Sequence, residues 1–216
     1  MAESRFANDY LKGNPQSTLM IKYLLFLRKI GYNPRVVYDV GAYNTSFANL
    51  VTEIFPDARV ILFEASKEHC ETMVGYEYYN CCLGDVSSEI DFYELSNNDK
   101  VKSYYKPKTF DDTDNKVSKI VVETLDEVAT RKGLPFPDLV RIDCCGAERD
   151  VILGGKITLQ LTKYLIVNLQ NEEFFMGAPL AITSGSIIKS LGYDVKDILD
   201  LYNTPLIDYV FENKSL

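Results

Sequence analysis

Apolar residues follow two rhythms along this chain: long stretches with a repeat of three to four positions, and short continuous runs that end abruptly in a polar residue. The first rhythm predicts a helix over about residues 17–30, where "LMIKYLLFLRKI" follows the cap signal "PQST" and is interrupted by Lys22 and Arg28. The second predicts a strand near 35–40 that reaches Asp39 and Gly41. A helical pattern through Phe47, Leu50 and Val51 then runs to the stop at Pro56. "ARVILFEA" is a buried strand ending in Glu64, a helical stretch follows from Lys67, and "YEYYNCCL" reads as one third strand before the turn "GDVSS".

Further on, "SEIDFYEL" and "VSKIVVETL" read as strands, and the polar stretch between them, residues 97–116, is expected to be a mobile loop. A helix near 125–132, the strand "DLVRID", a helix from about 147, the strand "KYLIVNLQ", a helix near 181–191 and strands near 193–198 and 207–212 complete the pass. This alternation predicts a single α/β domain, with a helical lead-in over 1–33 and a core over 34–216. The core is expected to be a mainly parallel seven-stranded sheet with helices on both faces.

In such a sheet ligands collect at the carboxyl ends of the strands, so the strand-ending residues carry the chemistry: Asp39 with Gly41, Glu64, Cys82 with Leu83, Asp143, and Asn168 with Gln170. A dinucleotide fold needs two further glycines after Gly41, and larger residues such as Tyr43 and Asn44 stand in their place. A cofactor without a pyrophosphate suits the turn better, and S-adenosylmethionine is one. It needs a tight turn under its amino-acid part, an acid for its ribose and an apolar slot for adenine. Glu64 lies at the spacing from Gly41 at which this fold places its ribose acid.

Composition narrows the partners. The chain has 216 residues, 46% of them apolar, and a net charge of -8 without a long Lys/Arg run, which argues against a nucleic acid as partner. No segment reads as a signal peptide or a membrane span, and the five cysteines, at 70, 81, 82, 144 and 145, suit reduced thiols in the cytoplasm.

"VVYDVGAYNTSFANLV", "PDARVILFEAS", "NCCLGDVSSEIDFYE", "ETLDEVATRKGLPFPDLVRIDCCGAERDVILGG" and "LQNEEFFMGAPL" occur in an order and spacing that resemble the FkbM-type methyltransferases, over roughly residues 34–195. The resemblance implies a Rossmann-like class I methyltransferase that moves a methyl group from S-adenosylmethionine to a hydroxyl of a sugar or glycan, leaving S-adenosylhomocysteine. A glycosyltransferase fused to or associated with the chain, an origin by excision from a larger protein, and a homodimer all stay open.

Carried over by position, Asp39, Gly41 and Ala42 match the family's cofactor turn and Glu64 its ribose acid, while Asp143, Gly146, Ala147 and Glu148 match its "D-x-x-G-A-E" signature. Gln170, Glu173 and Gly177, Ala178, Pro179 resemble a motif of one branch. The expected cofactor contacts are Asp39, Gly41, Ala42, Tyr43 and Phe47, then Glu64, Ala65 and Ser66, then Cys82 and Leu83, then Asp143 and Cys144. The sequence departs from the family at Thr45, where a glycine is usual, at Cys145, and at Asn168 and Asn171, where Glu and His are expected.

Methyl transfer to a hydroxyl needs a proton acceptor. The lone histidine, His69, is expected to face solvent, which leaves Asp143 and Glu173 as the catalytic candidates. Tyr104 and Tyr105, in the polar loop, could stack on a sugar face. Three alternatives remain: magnesium bound at Asp143 with Glu148, although no metal is predicted; an NAD-dependent enzyme; and a non-catalytic methyltransferase-fold binding module.

Overall fold

The computed structural model describes residues 15–111, 113, 115–199 and 204–216. Helix α1 (Pro15–Lys29) leads into β1 (Val36–Val40), α2 (Ser46–Ile54), β2 (Arg59–Glu64), the single turn α3 (Lys67–Cys70) and β3 (Glu77–Asn80). After β4 (Cys82–Gly84), β5 (Ser88–Glu94), the two-residue β6 (Lys102–Ser103) and β7 (Lys116–Thr124), the chain forms α4 (Leu125–Lys132) and β8 (Leu139–Ile142). It closes with α5 (Glu148–Gly154), α6 (Lys156–Leu159), β9 (Tyr164–Gln170), α7 (Ala181–Ser190), β10 (Tyr193–Leu199) and β11 (Leu206–Asn213).

Seven strands form the main sheet in the order β10-β11-β9-β8-β1-β2-β3. β1, β2, β3, β8 and β9 pair in parallel, and β11 is antiparallel to both β9 and β10, so β11 alone is reversed. The expected mainly parallel sheet is therefore a mixed one. A second sheet, β4-β7-β5-β6, takes the chain between β3 and α4 and is antiparallel except for the β4–β7 pair.

Period-two alternation on fully buried strands gives each face of the main sheet its own core. Val37, Leu62, Leu139 and Ile166 pack with Leu24 and Leu27 of α1 and with Leu50 and Val51 of α2. Tyr38, Phe63, Val140 and Val167 pack with Leu125 of α4, Ile152 of α5 and Ile188 of α7 on the other face. On the α1/α2 face the apolar positions turn polar at the carboxyl ends of the parallel strands. Two residues along from Val37, Leu139 and Ile166 stand Asp39, Arg141 and Asn168, and Asp208 of β11 is the register partner of Asn168. The order of strands reverses between β1 and β8, and a crevice opens at their carboxyl ends.

The structure departs from two further sequence expectations. "YEYYNCCL" is not one strand: the Cys81 N–H bonds to the Glu64 carbonyl at 3.0 Å and the Asn80 amide to the Glu64 and Ala65 carbonyls, which ends the pairing with β2. Cys82 then pairs with Val122 in the second sheet. A continuous apolar run cannot announce that it changes partner. Within the stretch expected to be mobile, residues 99–108 form a strap across the sheet's carboxyl end. Ser103 Oγ donates to the Cys145 carbonyl at 2.7 Å, the Lys108 N–H to the Phe174 carbonyl at 3.0 Å, and the Met176 N–H to the Lys106 carbonyl at 2.9 Å. Polar composition hid these contacts because they are made largely by backbone.

Helix α4 follows its local signals closely. Thr124 Oγ accepts from the Glu127 N–H while Glu127 reaches back to the Thr124 N–H, a capping box, and Gly133 ends the helix in the left-handed region at φ +62°.

Candidate active site

Three turns meet at the crevice. The first follows β1, and Gly41 sits in it at φ +77° with its N–H bonded to the Phe63 carbonyl at 2.9 Å. A Cβ on Gly41 would lie 2.0 Å from the Asp143 carbonyl oxygen, so the close approach of the β1 and β8 turns requires glycine here. Tyr43 is also left-handed, at φ +56°, an uncommon and strained conformation for an aromatic residue. Thr45, by contrast, has φ -87°, so the glycine usual at that position is not needed for this turn.

Glu64 ties the first turn to the second. It is 7% exposed; Oε2 accepts from the Tyr43 N–H and Oε1 from the Ser66 N–H, each at 2.8 Å. An ionised carboxylate has about four lone-pair directions, so both oxygens keep acceptor capacity. His69 does not face solvent as expected. Ser66 caps the one-turn helix α3, and the turn brings His69 Nδ1 to 3.5 Å from Glu64 Oε1 with its ring edge-on to Tyr43.

The third turn, after β8, is held by Glu148. Its Oε1 accepts from the Cys144 N–H at 2.8 Å and the Gly146 N–H at 3.1 Å, and burial pushes its carboxyl up to about 8. Cys145 takes φ +54° in this turn, and burial drives the thiols of Cys144 and Cys145 well above their ordinary range. Gln170 orders the neighbouring loop by accepting from the N–H groups of Phe174 and Phe175 and donating to the Ala178 carbonyl at 2.7 Å.

Arg141, which no motif in the sequence singles out, is the charge centre of the α1/α2 face. Its Nη1 donates to Asp39 Oδ1 at 2.9 Å, its Nη2 pairs with Asp143, and its Cζ lies 5.2 Å from the Phe47 ring centroid. Asp39 is fully buried, and its Oδ2 has no hydrogen-bond partner among the described residues. Burial raises the Asp39 carboxyl and Arg141 opposes that shift.

Two adjoining cavities flank the Gly41 turn, and Gly41, Tyr43 and Lys100 line both. The first also takes Glu64, Ala65, Cys82, Leu83 and Cys144 from the expected cofactor set, with Phe63, Phe92 and Tyr104 as apolar wall. The second takes Ala42, Phe47 and Asp143, and adds Met20, Arg141, Asn168, Leu206 and Asp208. Asp39 and Ser66 are buried behind these walls.

Other sequence candidates lie elsewhere. Glu173 is on the surface outside both cavities, bonded to Lys108 Nζ at 2.9 Å and to the Gly177 N–H, and the Lys108 contact lowers its pKa. The hydroxyls of Tyr104 and Tyr105 converge on Asp150 Oδ2, at 3.1 and 2.8 Å, so these rings belong to the packed strap instead of an open sugar platform. Asp143 turns to Arg141 and Glu148 to loop amides. Among the described residues no group of three or more His, Cys, Asp or Glu side chains is arranged to hold a metal ion. Nor is any helix among them long and apolar enough to cross a membrane.

A family model described as the methyltransferase FkbM domain matches residues 39–201. The 2-O-methyltransferase NoeI of Sinorhizobium fredii (strain NBRC 101917 / NGR234) is 27% identical over 160 residues, which cover 66% of this chain and 66% of that protein. Among solved structures, the FkbM methyltransferase of Methylobacillus flagellatus KT superposes with a TM-score of 0.55 at 12% identity, over 83% of this chain and 43% of that one. The O-methyltransferase of Bacillus cereus in complex with SAH superposes with a TM-score of 0.51 at 12% identity, over 98% of this chain and 91% of that one. These likenesses identify the architecture as the Rossmann-like α/β fold of class I methyltransferases.

Proposed function

The chain belongs to the FkbM methyltransferase family, and from that premise we propose that it transfers a methyl group from S-adenosylmethionine to a hydroxyl of a sugar or glycan. The observation that supports this reading is the pair of cavities meeting at Gly41, one lined by Glu64 and an apolar wall of Phe63, Leu83 and Phe92, the other by Arg141, Asp143, Asn168 and Asp208 opposite Met20, Phe47 and Leu206.

The residues present fit the cofactor. Gly41 lets the β1 turn pack directly on the Asp143 carbonyl, which keeps the turn tight at the cavity wall, and Glu64 keeps two acceptor oxygens there for vicinal hydroxyls. Phe63, Leu83 and Phe92 offer the apolar slot for adenine, and Gly41 and Cys144 would border the amino-acid part. S-adenosylmethionine, when bound, supplies a sulfonium methyl that is already activated toward nucleophiles.

The chain's own work is then alignment, exclusion of water and removal of a proton. Met20, Phe47, Leu50 and Leu206 form an apolar wall in the second cavity that suits the apolar face of a pyranose. Arg141, Asp143, Asn168 and Asp208 oppose it with groups able to bond hydroxyls. The strap closes over both: Asp99 accepts from the Tyr43 hydroxyl at 3.1 Å, and Lys100 Nζ sits 5.6 Å from the Tyr43 ring centroid. Similarity to a 2-O-methyltransferase supports a hydroxyl acceptor.

The test is transfer of labelled methyl from S-adenosylmethionine to a panel of methyl glycosides, with NAD titrated calorimetrically as the competing cofactor. The reading expects label on at least one glycoside hydroxyl and no NAD binding. NAD binding, or label found only on non-sugar acceptors, contradicts it.

A further inference from the structure

Three carboxylates cluster at the polar end of the α1/α2 face, and they are not equivalent. Asp39 is sealed from solvent and bonded to one arm of Arg141, and Asp143 is held by the other arm. Asp208 carries no ion pair among the described residues. Its hydrogen bond there comes from Asn168 Nδ2, which reaches Oδ1 at 3.0 Å and leaves Oδ2 for a ligand. Asn168 and Asp208 are register partners on β9 and β11, so two rigid strands fix this pair in place. Asp208 is 8% exposed, and both residues line the second cavity together with Asp143 and Gly41.

We propose that Asp208 is the catalytic base for the acceptor hydroxyl and that Asn168 is its positioning residue, an assignment that rests on the sugar O-methylation reading above. The acceptor O–H bond breaks as its oxygen bonds the methyl carbon, and the proton passes to Asp208 Oδ2. The electron pair of the broken S–CH3 bond stays on sulfur as a neutral thioether, and Asp208 then loses the proton to solvent through the cavity mouth.

The surroundings suit this task. Burial and the nearby charge of Asp143 push the Asp208 carboxyl above its ordinary value, while Arg141 and the Asn168 hydrogen bond pull it back. The charged groups facing it are Arg141 on β8, Asp143 in the turn after it and Asp39 behind Arg141 on β1, with Lys100 at the rim. Asp208 keeps an oxygen outside any ion pair among the described residues, whereas Asp39 and Asp143 are each bonded to Arg141.

The experiment compares the full chain with Asp208→Asn and Asn168→Ala. Readouts are melting temperature, S-adenosylhomocysteine affinity by calorimetry, and kcat against pH on a glycoside that the parent methylates. Asp208→Asn is expected to stay folded, bind S-adenosylhomocysteine within about threefold of the parent, and lose roughly 10² or more in kcat along with the acid limb of the profile. Asn168→Ala should lose less and shift that limb. A folded Asp208→Asn that turns over within about threefold of the parent overturns the assignment, as does one whose cofactor affinity falls in step with its activity. Should Asp208→Asn not fold, an unshifted acid limb in Asn168→Ala overturns it instead. A parent that binds S-adenosylhomocysteine but methylates no glycoside removes the sugar reading and this assignment together, whereas methylation indifferent to Asp208 removes this assignment alone.

Discussion

Replacing Arg141 with methionine removes the cation from a site that buries Asp39 completely and leaves its Oδ2 already without a partner among the described residues. Methionine keeps the apolar contact with Phe47 but cannot satisfy Asp39 Oδ1, which now receives Nη1 at 2.9 Å. Removing one partner of a buried ion pair costs about 3–5 kcal/mol, because the other charge stays buried without compensation. For a chain of this size that is a fall in melting temperature of roughly 6–20 °C. Burial already raises the folded-state pKa of Asp39, and without Arg141 it rises further. The folded variant then holds a proton that the unfolded chain has released. Its stability therefore falls as pH climbs from the unfolded value through the folded one, so the deficit against the parent is smaller at pH 5 than at pH 8. Adding Asp39→Asn removes the stranded charge and should recover more than half of the loss at pH 8. Urea unfolding of parent, single and double variants at both pH values measures all of this. A single variant within about 1 kcal/mol of the parent at pH 8, or a double variant no more stable than the single one, refutes the reasoning.

Gly41→Ala places a Cβ 2.0 Å from the Asp143 carbonyl oxygen at φ +77°; strain alone costs about 1–3 kcal/mol and the two turns must separate, so melting temperature and S-adenosylhomocysteine affinity should both drop. Glu148→Ala leaves the Cys144 and Gly146 N–H groups without their acceptor, a loss of about 2–5 kcal/mol by chemical denaturation, whereas Glu148→Gln keeps the acceptor oxygen and should stay near the parent below pH 4.5. The Glu148 carboxyl is raised from 4.5 to about 8, so its contribution to stability is full below pH 4.5 and declines up to about pH 8; Glu148→Gln should gain on the parent across that window, and parallel curves would contradict the assignment.

The parts of the fold legible in the sequence were those fixed by local chemistry. Thr124, Glu127 and Gly133 mark both ends of α4, and the turn glycine at 41 and the acid at 64 are consistent with a strand-turn-helix followed by a second strand. What stayed hidden depends on which elements meet. Arg141 and Asp208 look like surface positions in strands, and only the β1–β8 and β9–β11 registers show that they share one polar face with Asp39 and Asn168. The sequence offers Glu148 as a signature acid and as a possible magnesium ligand with Asp143, and only the fold of its own turn shows that it holds the Cys144 and Gly146 amides. The partners of Glu173 and the strap tyrosines are hidden for the same reason: Lys108 and Asp150, which hold them, are brought near by the strap and not by spacing.

Calorimetric titration of S-adenosylhomocysteine into the parent and into Glu64→Ala tests the central claim most directly, since it needs no acceptor. One site is expected in the parent, with a loss of about 1.5–3 kcal/mol of binding free energy in the folded variant, where the carboxylate acceptor of the ribose hydroxyls is gone. A folded parent that gives no heat of binding, or a folded Glu64→Ala that binds as tightly as the parent, would contradict it.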